Sequence, residues 1–138
     1  MPTFGLSIDE ATILTKYFAA MGKQQMPYEY VSLQEPPAEH LRAGRLLMSK
    51  DYFACFSCHQ QGDRKPEGPP EGWAPDLSLA KRRLRPVWIA KWLKDPQKVQ
   101  PGTKMPSFYP GGPDDILGGQ EERQIQAITD YLMHLGER

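Results

Sequence analysis

Two thiols and an imidazole fall within five residues, Cys55-Phe56-Ser57-Cys58-His59. C-x-x-C-H is the pattern that attaches a c-type heme. Two thiols three residues apart on a tight turn can reach the two vinyl groups on one edge of a porphyrin. The next side chain then points under the ring, where its imidazole nitrogen can bind iron. Other chemistries ask for more. A redox C-x-x-C has no use for the histidine and expects a βαβ context, which the sequence lacks. Zinc would need two further ligands. His40 and His134 are the only other histidines, and there is no third cysteine. An inert buried cysteine pair is the remaining alternative, and it leaves the loop-rich middle of the chain unexplained.

Iron bound by one histidine needs a sixth ligand or keeps an open position. Pro101-Gly102-Thr103-Lys104-Met105-Pro106 offers a thioether in a stiff loop framed by proline and glycine. A thioether is soft and neutral, and Met/His ligation raises the reduction potential of heme iron. The other methionines (Met1, Met21, Met26, Met48, Met133) lie in or beside helical segments and read as core filler.

The elements that must position these groups are helical. Ser7 and Glu10 make a capping box. Ala11, Leu14, Phe18 and Met21 then recur at helical spacing, with Gly22 as a stop. Residues 29–36 read as a linker. Pro37 suits the first turn of a second helix, whose buried stripe is Leu41, Gly44, Leu47 and Met48. Residues 60–118 hold ten of the fourteen prolines, so long strands are excluded there. One helix interrupts that segment. It starts at Pro86, carries Trp88, Ile89, Trp92 and Leu93, and stops near Asp95, because the residue before Pro96 is forced out of helical geometry. A last helix spans 119–135, with Ile125, Ile128, Leu132 and Leu135 repeating and Tyr131 bordering the stripe. The expected class is all-α, with a helical extension over 1–36 and a main domain over 37–138.

Composition fits this picture. The chain has 138 residues, 39% of them hydrophobic, with 12 Gly and 14 Pro. That is a modest apolar complement, which a cofactor at the centre of the core would make good. Formal net charge is zero, from 17 basic and 17 acidic residues. This disfavours a globally basic nucleic-acid binder and a long charged disordered tail. No apolar run is long enough to span a membrane, and no signal peptide opens the chain. The neutral total conceals a local excess: Lys81 to Lys104 contains eight basic residues against Asp95 alone.

Taken together, these residues resemble the class I cytochrome c family. The likeness is carried by Cys55-x-x-Cys58-His59, by Pro75-Asp76-Leu77, and by Trp92-Leu93-Lys94-Asp95-Pro96 leading to Pro101-Gly102-Thr103-Lys104-Met105-Pro106. It covers about residues 37–135 and implies a cytochrome c fold, helices wrapped around one covalently bound heme c. The resemblance makes His59 the proximal and Met105 the distal iron ligand, with Cys55 and Cys58 carrying the thioethers. It gives the Pro75 carbonyl a hydrogen bond from the other His59 ring nitrogen. It places Trp92 near the Met105 side, and Gly44 and Tyr131 at a helix crossing. Arg82, Arg83 and Arg85 are candidates for the heme propionates, or equally for a solvated basic face. Two departures stand out. Gly44 lies farther before Cys55 than in the compact mitochondrial type, and Gln60–Gly72 is unusually proline-rich.

The expected function is electron transfer by one heme cycling between ferric and ferrous states, as a carrier or as a subunit of a respiratory or related redox complex. With both axial positions filled, the iron binds no substrate, so the chain is not itself expected to be an enzyme. Two rivals stay open: a heme enzyme or gas sensor with a labile Met105, and a structural heme module of a larger assembly. The expected partners are redox proteins, a membrane-bound complex among them, docking at the heme edge near Lys81–Lys104. Nucleic acid is not among them. Heme c attachment implies the bacterial periplasm or an equivalent exported compartment, in which case a leader has been removed or the sequence is incomplete. Residues 1–28 read as the tail of a preceding cytochrome domain, as a helix docking on a neighbour, or as an extension packed on its own domain. With no second C-x-x-C-H, one heme is expected.

Overall fold

Ser7 opens the first helix, α1 (Ile8–Met21), as the capping box requires. Its Oγ accepts a hydrogen bond from the Glu10 N–H at 3.3 Å, and the Glu10 carboxylate accepts from the Ser7 N–H at 2.9 Å. That exchange holds the Glu10 carboxyl below its ordinary pKa. Gly22 ends the helix, its N–H returning to the Phe18 carbonyl. The computed structural model describes residues 3–23 and 34–135. The chain forms two compact units, Met1–Gln34 and Glu35–Arg138, and α1 belongs to the first. Of the residues that recur along it, Leu14, Phe18 and Met21 are exposed, as are Ile13 and Tyr17, while Ala19 is buried. Most of the expected 29–36 linker, and Met26, lie outside the described residues.

In the second unit, α2 (Ala38–Leu47) packs on α6 (Glu121–His134). Pro37 stands at the N-cap rather than in the first turn, because its ψ of 137° is extended. Ala43, Gly44, Leu47 and Met48 are buried on one side, and Ile125, Ala127, Ile128, Leu132 and Met133 on the other. Leu41 and Leu135, both expected in the stripes, are only half-buried at the seam's edges. The closest approach is at Gly44. A Cβ there would lie 2.7 Å from the Tyr131 Cβ and would collide with the Ala127 carbonyl oxygen. His40 Nδ1 and Asp130 Oδ2, 2.7 Å apart, join the same two helices, and Gln126 donates to the other Asp130 oxygen.

The third layer is α4 (Pro86–Lys94), with Pro86 in its first turn. Ile89 and Leu93 are buried where it packs on α6. Lys94 reaches Glu121 at 3.4 Å and Glu122 at 3.5 Å. Two one-turn helices flank α4: α3 (Ala80–Arg83) and α5 (Pro96–Val99). Both are too short to show a periodic stripe. The α5 start is nevertheless written in Asp95-Pro96, where the Asp95 carboxylate accepts the Lys98 N–H at 3.0 Å.

Loops complete the unit. Gln124, fully buried on α6, donates to the carbonyls of Pro113 and Ile116 at 2.7 and 2.8 Å and so pins the 110s segment. The described residues contain no β-strand, only the isolated bridges His59–Ala74 and Gln61–Arg64. The architecture is all-α. No described helix is long and apolar enough to cross a membrane.

Candidate heme site

The thiols belong to a single 3-10 turn, Cys55–Ser57, with Cys58 as its C-cap residue, separated from the end of α2 by seven residues. Ala54 enters the turn in the left-handed region (φ 50°), a conformation costing a non-glycine residue about 1–2 kcal/mol. The strain is held by three backbone bonds: the Phe53 N–H to the Leu47 carbonyl, the Ala54 N–H to Ser49, and the Cys55 N–H to Met48. The turn is therefore anchored directly to the α2–α6 seam. Cys55 is half-buried and Cys58 exposed, and neither is in a disulfide. Burial pushes the Cys55 thiol up to about 12, so it is protonated at neutral pH.

His59 Nδ1 lies 2.8 Å from the Pro75 carbonyl oxygen. A carbonyl can only accept, so the proton sits on Nδ1 and the Nε2 lone pair is left for a metal. Burial lowers the His59 pKa, partly opposed by the Pro75 bond, which favours the neutral ring. The Pro75 segment is itself fixed. Asp76 Oδ1 accepts N–H bonds from Gly62 and Ser78, each at 2.9 Å. The Gly62 bond, above all, holds this carboxyl below its usual range. The Ala74 N–H donates to the Cys58 carbonyl at 2.7 Å, and Leu77 N–H to Gln60 at 2.9 Å.

Met105 sits in a separately braced loop. Its Sδ accepts a hydrogen bond from Trp92 Nε1 at 2.8 Å. Gln97, on α5, donates to the Thr103 carbonyl at 2.7 Å and to the Met105 carbonyl at 3.3 Å, and accepts the Gly102 N–H. The thioether loop and the thiol turn meet through aromatic side chains. Phe53, just before the turn, packs on Phe108 at 4.6 Å and edge-on against Tyr109 at 5.6 Å. Tyr52 adds a bond to the Asp115 carboxylate at 2.6 Å.

Arg82, on α3, and Arg85, the α4 N-cap residue, are both exposed. Arg83 adds its charge to the forces lowering the Asp76 pKa. The Lys81–Lys104 excess is smaller than the sequence count, because Lys94 is paired with two glutamates. Gln97 and Tyr109 escaped the sequence reading, and Asp76 entered it only within the Pro75-Asp76-Leu77 motif, with no role of its own. Asp76-Leu77-Ser78 does carry a readable signal, an Asx-type cap on the residue two positions on. The Gln97 role has none, since it depends on how α5 meets the Met105 loop.

These residues fit a heme. Two thiols share one turn, an imidazole keeps Nε2 available, and a thioether is oriented by a neighbouring donor. Phe53, Phe56, Leu77, Leu79, Leu84, Trp92 and Phe108 are only half-buried, apolar surface that a flat apolar ring could cover. The Tyr109 hydroxyl is sealed from solvent with no hydrogen-bond partner, a donor left for a further group. When bound, a heme supplies a one-electron ferric/ferrous couple. Cys55, Cys58, His59 and Met105 are the residues that would hold it.

Comparison with known proteins agrees with this assembly. Residues 42–136 match the cytochrome c family model. A similar protein is cytochrome c oxidase subunit 2 of Bacillus sp. (strain PS3), 31% identical over 102 residues. The match covers 68% of this chain but 26% of that protein, so the chain spans about a quarter of its relative. The chain belongs to the cytochrome c family, whose domains carry heme and transfer electrons.

Proposed function

We propose that this chain carries electrons through a single heme c, bound through Cys55 and Cys58, with its iron held between His59 and Met105. It serves as a carrier or as the electron-transfer part of a respiratory complex. The supporting observation is the Phe53–Phe108–Tyr109 packing, which draws the thiol turn and the Met105 loop to one site. A braced sulfur favours a filled sixth position, and hence electron transfer over ligand chemistry at iron. The likeness to an oxidase subunit supports the respiratory assignment, and a covalently attached heme c would imply the exported side of an energy-transducing membrane.

The test is a visible spectrum of purified protein. One heme per chain, resistant to acid–acetone extraction, is the expected stoichiometry. The ferric form is expected to show the far-red methionine–iron charge-transfer band, and the ferrous form to resist carbon monoxide. Rapid carbon monoxide binding without that band would overturn the carrier reading. The basic Lys81–Lys104 stretch implies docking on an acidic partner, with rates that fall steeply as salt rises. Rates indifferent to ionic strength would remove that part.

A further inference from the structure

Trp88 sits one helical turn before Trp92 on α4. The two indoles stack with ring centroids 5.2 Å apart and planes within 13°. Trp92 in turn touches the Met105 sulfur through its N–H, at 2.8 Å. The outer ring is open: Trp88 is 40% exposed, beside Val87 at 82%. A continuous row of contacts thus runs from the protein surface to the thioether. Nothing in core packing requires this. The buried face of α4 is Ile89 and Leu93, and the Trp pair lies beside it.

We propose that Trp88 is an electron port, the surface end of a Trp88–Trp92–Met105 route, and that a redox partner seats on it. This rests on the carrier reading above. One electron leaves the partner's reduced centre and ends on the iron held by His59 and Met105. No bond forms, no proton moves, and the indoles mediate without being oxidised. Stacked rings and a direct N–H···S contact transmit electronic coupling better than an equal distance of gaps. The partner's chemistry follows from charge. Arg85 and Lys91 lie three residues either side of Trp88, on the same stretch of helix surface, and α4 carries no acidic residue. A matching surface presents carboxylates around an apolar contact. Tryptophan and arginine are enriched among the residues that anchor protein interfaces.

The test uses the heme-loaded protein. A photoactive ruthenium polypyridyl label is attached through the Val87→Cys variant and, as control, through Glu71→Cys. Flash photolysis reads the electron-transfer rate from each position. Trp88→Leu is expected to slow transfer from position 87 by about tenfold and to leave the control rate unchanged. Trp88→Phe, which keeps a ring, is expected to retain most of the rate. Independently, 5-fluorotryptophan labelling should give a Trp88 fluorine signal that a dissolved nitroxide broadens, because the ring faces solvent. Equal rates in wild type and Trp88→Leu, or a Trp88 signal untouched by nitroxide, would overturn the port. Either result leaves the carrier reading intact if the wild-type protein keeps its methionine–iron band and a reversible one-electron titration. Loss of those would sink the carrier reading itself.

Discussion

Gly44→Ala is the sharpest test of how the fold carries the site. The added Cβ would stand 2.7 Å from the Tyr131 Cβ and 2.9 Å from the Ala127 carbonyl carbon, and would strike the Ala127 oxygen. Carbon atoms prefer about 3.5–4.0 Å, so α2 and α6 must move apart by roughly 1 Å. Every clashing atom is backbone or Cβ, so no rotamer change relieves it. Overpacking of this kind costs typically about 1–3 kcal/mol, and the absence of slack puts this case at the top of that range. Alanine recovers about 0.8–1.0 kcal/mol of helix propensity. The net loss is about 2 kcal/mol. For a unit of this size that corresponds to a Tm lowered by about 8–16 °C. Thermal melting of the heme-loaded protein, followed by far-ultraviolet circular dichroism, reads it directly. Gly72→Ala is the control, since a Cβ there meets nothing within 4 Å and its φ is not in the left-handed region. It should change stability by no more than about 0.5 kcal/mol. A Gly44→Ala melt within about 2 °C of wild type would refute the reasoning.

Three more outcomes are expected. Trp92→Phe removes the donor to Met105 Sδ; a hydrogen bond that draws charge from sulfur disfavours ferric iron, so potentiometry should read a potential lower by about 20–65 mV, the equivalent of about 0.5–1.5 kcal/mol. Gln97→Ala releases the bonds bracing the Met105 loop, and ferrous protein should bind carbon monoxide faster than wild type; an unchanged rate would show that the brace is dispensable. Asp76→Asn tests pH dependence: the folded carboxyl has a lowered pKa, so it stabilises the protein above the unfolded value of about 3.9 and that stability is lost as pH falls through the folded pKa. Denaturation curves of wild type and Asp76→Asn should therefore differ at neutral pH and converge in acid.

The sequence made some of this structure readable because certain signals are local. The Ser7/Glu10 box, Pro86 at a helix start and Asp95 before Pro96 each fix backbone geometry within four residues, and all appear where expected. Gly44 opposite Tyr131 was legible only through family likeness, since no local rule pairs residues so far apart. Pro37 was misplaced by one position, because proline is compatible with both the N-cap and the first turn. The α1 helix forms where its spacing predicts, yet Leu14, Phe18 and Met21 are exposed. Periodicity reports that a face is apolar, not that a second layer covers it. The braces around the thioether were invisible, because Gln97 is an ordinary exposed polar residue until α5 turns it toward the Met105 loop.

Where the chain buries its apolar residues bears on how fold and site depend on each other. The α2, α4 and α6 seam closes on itself through Leu47, Met48, Ile89, Leu93, Ile125, Ile128 and Leu132. The segment from Ser49 to Leu79 contains no fully buried apolar side chain other than Pro66, although it holds Tyr52, Phe53, Phe56, Trp73, Leu77 and Leu79. These six are half-covered, and Phe53 and Phe56 stand beside or between the two cysteines in sequence. At about 25 cal/mol per Å² of apolar surface, completing their burial would contribute several kcal/mol. A porphyrin ring set among them could supply that contact, while the Asp76 and Pro75 bonds fix the loop in advance of it. On this view the α2, α4 and α6 seam supplies the frame, and the loops gain part of their stability from the group they would hold. The modest apolar content of the sequence then follows from a division of labour, with part of the core assigned to a cofactor rather than to side chains.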